Sequence, residues 1–339
     1  MQFIKQFFGA ANSSASKSVS VTNQSTGCLR VGILGTGKIG TDLLVKIQRS
    51  PFLECVIFSG RNVDSEGMRY AKNLGVPLSD QGIKAFYNED YACDIVFDAT
   101  SAAHHLLHAQ VFEKLRIFAI DMTPSQIGEC CVPALGMVDV RQHRNVSMIS
   151  CGGQASIPVA QVLSRVIPNI SQIAVKSIVS TNSIGPGTLA NIDEYYQNTK
   201  AGLFKYTQVG DLAVELCVDE INLETPMLTS VTAHCSFVDM DNLIEALNAM
   251  LERVRCYVPG YKLVAEPVRL HDGVRVDICV EGLGDYLPKY AGNLDIINCA
   301  AIAVAEEYAR IQLRQRQFVP IQAQSDSIFE RLVGYRSVG

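Results

Sequence analysis

Nothing in the 339 residues approaches the ~18 consecutive apolar residues that a membrane-spanning helix needs. No compact apolar region followed by a cleavage pattern opens the chain. No run of basic residues occurs and the formal net charge is -5, which argues against a nucleic-acid-binding surface. A small anionic ligand would therefore need a local positive site. The eleven cysteines are an odd, scattered set without a C-x-x-C pair. That excludes an obvious disulfide or zinc framework and fits a reducing, cytoplasmic setting. Cys55, Cys93, Cys217 and Cys279 lie in apolar strand-like runs and read as buried thiols. Internal repeats are absent. Biased composition is confined to residues 1–28, read as a mostly disordered extension.

What is present suits a large core: 48% hydrophobic and 19% charged residues, in a chain long enough for two domains. LRVGILG, LECVIFSG, DIVFDAT, RIFAIDMT and NVSMIS read as strands that alternate with helical patterns. Such alternation predicts βαβ units and a doubly wound parallel sheet over residues 29–150. Beyond Ser150 the pattern changes. QIAVKSIVSTNS, DLAVELCVDE, LTSVTAHCSF, YKLVAEPVRL and VRVDICVEGL read as strands broken by one helix near Asp241–Arg255. The expectation is an α+β catalytic and dimerisation domain over 151–290 with an antiparallel sheet. A long amphipathic helix over 291–315 is expected to pack back on the first domain.

Gly35-Thr36-Gly37-Lys38-Ile39-Gly40 follows a strand and opens a helix. In that context the glycines allow a tight turn, close approach of a pyrophosphate, and close helix–strand packing. The helix N-terminus adds unpaired N–H groups for the phosphates. An NAD enzyme usually carries an acidic residue about 20 residues after the loop. Here the second strand ends Ser59-Gly60-Arg61-Asn62. Ser59 and Arg61 suit a 2′-phosphate instead, so the pattern leans toward NADP over NAD, although Arg61 reads equally well as an ordinary loop residue.

Cys151 stands apart from the other cysteines: it ends a strand and precedes Gly152, Gly153 and a helix. A helix N-terminus favours the thiolate. The nearby N–H groups and the Gln154 amide are candidates for an oxyanion site. A thiolate beside a nicotinamide adds to an aldehyde, and loss of hydride leaves a thioester that a thiol or water then releases. His104, His105 and His108 fall in one helix after a strand, and His104 and His108 share a face. Without a third ligand they read as part of a solvated helix start, and no metal is expected. Asp98 and Asp121 end parallel strands and read equally as ligand contacts or helix caps.

Three longer segments resemble one family, the acylating acetaldehyde dehydrogenases of aromatic meta-cleavage pathways. They are Ser150-Cys151-Gly152-Gly153-Gln154-Ala155, the stretch Ser183–Glu194 containing Gly185-Pro186-Gly187-Thr188, and Tyr286–Asp295 containing Ala291-Gly292-Asn293-Leu294-Asp295. The resemblance runs from about Val31 to Arg310. It implies conversion of acetaldehyde, NAD and coenzyme A to acetyl-coenzyme A and NADH, with the acyl group carried on Cys151. It implies cofactor contacts from Gly35–Gly40, from Ser183, Ile184, Gly185, Pro186, Gly187 and Thr188, and from Asn293. It also implies an aldolase as candidate partner; a homo-oligomer is expected, and a carrier protein stands beside coenzyme A as a candidate thioester donor. Three departures stand out. Leu189 replaces an arginine, Ser230 and Val231 replace an Arg-Asp pair, and Asn62 replaces the acidic residue after the second strand. With the aspartate gone, His234 and His271 become candidate proton shuttles.

The leading expectation is thus an NAD(P)-dependent acylating aldehyde dehydrogenase or acyl-thioester reductase. Two others stay open: a phosphate-dependent semialdehyde dehydrogenase, and a non-catalytic dinucleotide-binding regulatory relative.

Overall fold

A computed structural model describes residues 27–140, 142–184 and 192–317. All but two residues of the expected N-terminal extension, and all of Gly185–Thr188, lie outside them.

The chain enters through β1 (Leu29–Leu34), whose buried apolar run continues into the glycine loop and α1 (Lys38–Ile47). Next come β2 (Leu53–Ser59), α2 (Glu66–Asn73) and the two-residue β3 (Leu78–Ser79). β4 (Ile95–Asp98), α3 (Ala102–Lys114), β5 (Phe118–Asp121), β6 (Glu129–Cys130) and β7 (Asn145–Ser147) complete the first layer. These strands form one parallel sheet in the order β3-β2-β1-β4-β5-β7-β6. The chain winds outward from β1 in both directions, so the switch point lies between β1 and β4. There the connections diverge and leave a crevice at the carboxyl ends of the strands. β3 and β6 escape sequence reading because two residues show no period.

β7 leads directly to α4 (Cys151–Val166) and then β8 (Gln172–Ser180). After α5 (Ile192–Thr207) follow β9 (Leu212–Asp219) and β10 (Met227–His234). The second layer ends with α6 (Met240–Arg255), β11 (Tyr261–Leu263), β12 (Val268–Leu270) and β13 (Gly273–Val280). The second sheet runs β11-β13-β10-β8-β9, with β12 also on β13. It is mixed rather than antiparallel, because β8 and β9 pair in parallel. The reason is α5, which serves as the crossover that a parallel pair requires. YKLVAEPVRL, expected as one strand, breaks into β11 and β12 around Pro267, which has no N–H for a ladder.

α7 (Gly292–Gln317) returns to the first sheet. Ile297, Ala300, Ala301, Val304, Ala305 and Tyr308 recur at helical spacing and share a core with β1, β4 and β5. The Tyr308 ring stacks on Phe118 at 4.1 Å. A buried ion cluster reinforces this return. Lys46 of α1 lies 2.8 Å from both Asp42 and Asp295 and 3.2 Å from Asp285. Burial alone would discharge Lys46, but the surrounding carboxylates outweigh it and hold the ammonium charged. Among the described residues no helix is long and apolar enough to cross a membrane.

Candidate active site

The glycine loop sits at the switch point. Gly35 has φ +113, in the region that favours glycine, and a Cβ there would lie 2.5 Å from the Ala99 carbonyl. Gly37 is the N-cap of α1. It makes no side-chain cap bond, and nothing lies within 4 Å of where its Cβ would stand. The first N–H groups of α1 therefore face open space, which is the arrangement a phosphate uses. Thr36 turns aside, its hydroxyl 3.2 Å from that of Ser65. The Lys38 ammonium donates to the Asn182 carbonyl at 3.1 Å, linking this loop to the end of the second sheet.

One cleft of about 380 Å³ joins that loop to Cys151, with Ile39, Ile184, Asn293 and Tyr195 among its walls. Asn293 is buried. Its amide donates to the Ser183 carbonyl at 3.1 Å, and its Oδ1 has no partner among the described residues. An orphaned acceptor in a cleft is normally satisfied by a ligand or a water. The cleft thus brings together Gly37, Lys38, Ile39, Ile184, Asn293 and Cys151 of the predicted site residues.

Cys151 opens α4. The helix start is fixed by Ser150, whose hydroxyl accepts from the Gly153 N–H at 2.9 Å. Two expectations change here. Burial pushes the Cys151 thiol up to about 11; the N–H groups of Gly152 and Cys151 and the Tyr195 hydroxyl pull it down but do not prevail. The helix terminus acts as foreseen, yet desolvation of a buried sulfur is the larger effect. Gln154 is also not an oxyanion donor. Its amide is buried and donates to the carbonyls of Cys131 at 2.8 Å and Met148 at 3.0 Å, bracing β7 against α4.

Ser59 is likewise removed from the cofactor contacts. It is fully buried and its hydroxyl donates to the Gly82 carbonyl at 2.8 Å. Arg61 remains exposed at the sheet edge. His234 and His271 do not line the cleft. His234 pairs with Gln172 at the start of β8, whereas the cleft lies beyond the other end of that strand. Eight residues of strand put roughly 25 Å between them. Its imidazole instead meets Asp272 at 2.9 Å. Val231 is fully buried in the core, and Ser230 donates to Asp277 on the opposite face. Cys217, expected inside, lies on a partly exposed strand and bonds Glu215 at 3.1 Å.

Sequence reading also missed a buried network behind the cleft. Asp98 accepts from Thr100 and from the Nδ1 atoms of both His105 and His108, each at 2.8 Å. Asp121 accepts from the N–H and hydroxyl of Thr123. Neither aspartate caps a helix, and His105 and His108 are buried rather than solvated; only His104 is exposed, bonded to Ser101. Thr100, Ser101 and Thr123 line the cleft, so the network fixes its floor. Burial pushes Asp98 up, but the two imidazoles overcome it and bring it down to about 2 from 3.8. A depressed carboxyl stabilises the fold above its unfolded pKa, and that stabilisation fades as pH falls through the folded value. Urea midpoints should therefore drop between about pH 4 and about pH 2, and Asp98→Asn should be less stable at neutral pH and lack that drop. An acid limb identical in the two proteins would remove Asp98 from this role.

The family described as prokaryotic acetaldehyde dehydrogenase, dimerisation, matches residues 151–288. An acetaldehyde dehydrogenase of Pectobacterium atrosepticum is 45% identical over 82% of this chain and 95% of its own. One of Spirochaeta aurantia is 43% identical over 83% and 95%. Among solved structures, aspartate semialdehyde dehydrogenase II of Vibrio cholerae covers 84% of this chain and 99% of its own at 14% identity, with a TM-score of 0.57. At that identity it shows the shared fold alone. With the identity spread over both layers and nearly the full length of those relatives, the chain belongs to the acylating acetaldehyde dehydrogenase family.

Proposed function

We propose that this protein interconverts a short-chain aldehyde and an acyl-thioester, with Cys151 as nucleophile, a nicotinamide dinucleotide as redox partner and coenzyme A as acceptor thiol. One observation carries the reading: Cys151 and the uncapped N-terminus of α1 open into the same cleft. The residues fit the cofactor. The N–H groups after Gly37 suit a pyrophosphate, and the orphaned Asn293 Oδ1 suits a carboxamide N–H donor. When bound, the nicotinamide supplies the hydride acceptor. Cys151 adds through sulfur to the carbonyl carbon and retains the acyl group as a thioester until a thiol displaces it. The floor braced by Asp98 and Asp121 holds the cleft's shape while this occurs.

A phosphate acceptor is less well served, because Lys38 is the one cationic side chain lining the cleft among the described residues and its ammonium is already tied to Asn182. The matched dimerisation segment supports a homodimer built through residues 151–288. The test is incubation with an acyl-coenzyme A and no reductant, followed by intact-protein mass. The reading requires one acyl group, mapped to the peptide containing Cys151. A protein that turns over aldehyde with no acyl adduct would refute it.

With Ser59 facing inward, discrimination between NAD and NADP rests on Arg61. Arg61→Ala should raise the KM for NADP about tenfold, the effect of one charge-assisted hydrogen bond, and leave that for NAD unchanged. Equal effects on both cofactors would place Arg61 outside the site.

A further inference from the structure

Tyr195, in the first turn of α5, is 4% exposed and lines the cleft beside Cys151. Its hydroxyl lies against Gly152: a Cβ there would meet the Tyr195 oxygen at 2.0 Å and the Ser177 hydroxyl at 3.4 Å. Glycine at 152 is thus what admits the phenol to the start of α4. The hydroxyl comes near both the Cys151 sulfur and Ser177, yet it completes no hydrogen bond among the described residues. Ser177 is already engaged with Thr229 at 3.0 Å. A buried hydroxyl without a partner is an unusual feature in a folded protein.

The rest of the cleft sharpens the point. Its titratable lining consists of Lys38, Cys151 and Tyr195, with no carboxylate or imidazole, among the described residues. The Lys38 ammonium points to the Asn182 carbonyl. Asp98, His105 and His108 are occupied with one another behind the floor. Tyr196 packs edge-on to Tyr195 at 5.7 Å and is the other titratable neighbour of its ring. Among the described residues, then, no His lines the cleft with this sulfur and the one Lys is engaged elsewhere, so the usual cationic support of a buried thiolate is not in place.

We propose that Tyr195 is a catalytic residue that sustains the Cys151 thiolate, its phenol remaining protonated and donating a hydrogen bond to Sγ once the thiol proton has left to solvent. Burial holds the phenol well above its ordinary pKa, so it acts as donor and not as base. With a neutral thiol the hydroxyl is orphaned; with a thiolate it is satisfied. The same donor serves when a thiol displaces the acyl group and the sulfur leaves as thiolate. This rests on Cys151 being the nucleophile.

The test is the pH dependence of iodoacetamide alkylation at Cys151, read by peptide mass in the wild-type protein and in Tyr195→Phe. Neither cofactor, aldehyde nor coenzyme A is required, so the result stands even if turnover is never found. Conversely, a missing acyl adduct would sink the proposed activity and leave this pair intact. In Tyr195→Phe the alkylation midpoint should rise by about one unit, so that alkylation below the midpoint slows about tenfold. A superimposable or lower profile in a variant that melts like wild type overturns the proposal. Should the Phe variant not fold, 3-fluorotyrosine at position 195 decides. Its more acidic phenol should lower the midpoint, and an unmoved midpoint is the overturning result.

Discussion

Replacing Cys151 by alanine is expected to lower aldehyde-dependent reduction of the dinucleotide by at least about 10^4-fold, on the scale of nucleophile deletions in covalent enzymes. The loss should be clean. Alanine is well tolerated at the first position of a helix, and the cap of α4 comes from Ser150, not from Cys151. The α1 N-terminus and Asn293 are untouched, so dinucleotide affinity by fluorescence titration should change by less than about twofold. The acyl adduct should vanish from intact-mass spectra. A variant keeping a tenth of wild-type turnover would mean that hydride leaves an aldehyde or its hydrate without a covalent intermediate, and the chemistry assigned to the cleft would be wrong.

Gly40→Ala is expected to weaken dinucleotide binding by about 10–100-fold, which corresponds to the ~1–3 kcal/mol typical of overpacking. The added Cβ would stand 1.9 Å from the Gly35 carbonyl oxygen. That oxygen belongs to backbone that cannot retreat easily. Gly35 has φ +113 and its N–H donates to the Ser59 carbonyl at 2.9 Å, while Ala99 closes the space behind it. The clash must therefore lift the start of α1 from β1 and displace the N–H groups after Gly37. Alkylation of Cys151 should be unaffected, because α4 is anchored through a different core. An affinity equal to wild type would show that the loop does not hold the phosphates.

The alternating apolar runs were enough to predict the first sheet and the returning helix. A buried parallel strand must be apolar on both faces, and a helix lying on it must repeat its apolar residues at three and four. Gly35–Gly40 was equally legible as a turn, since Gly35 needs its positive φ and Gly40 has no room for a Cβ beside the Gly35 carbonyl. Less could be read where a residue's environment comes from distant segments. The parallel pairing of β8 with β9 depends on a crossover helix whose pattern was masked by a motif. Ser59 looked available for a phosphate until Gly82 was seen to accept from it. His105 and His108 looked solvated because nothing in the local pattern shows that α3 turns both rings back onto Asp98 at the end of β4, seven and ten residues earlier.

Cys151 divides most clearly along this line. Its place between a strand and a glycine-led helix marked it as the candidate nucleophile from local sequence alone, because helix N-termini are written in caps and glycines. How readily its sulfur ionises was never local: packing withdraws it from water, and the phenol that faces it arrives from α5, more than 40 residues along the chain. The sequence determined the main strands and helices of the first layer and singled out the residue proposed to carry the chemistry. Burial and the meeting of segments far apart in the chain, which only the tertiary structure supplies, decided how strongly ionisation of that residue is opposed and what stands beside it.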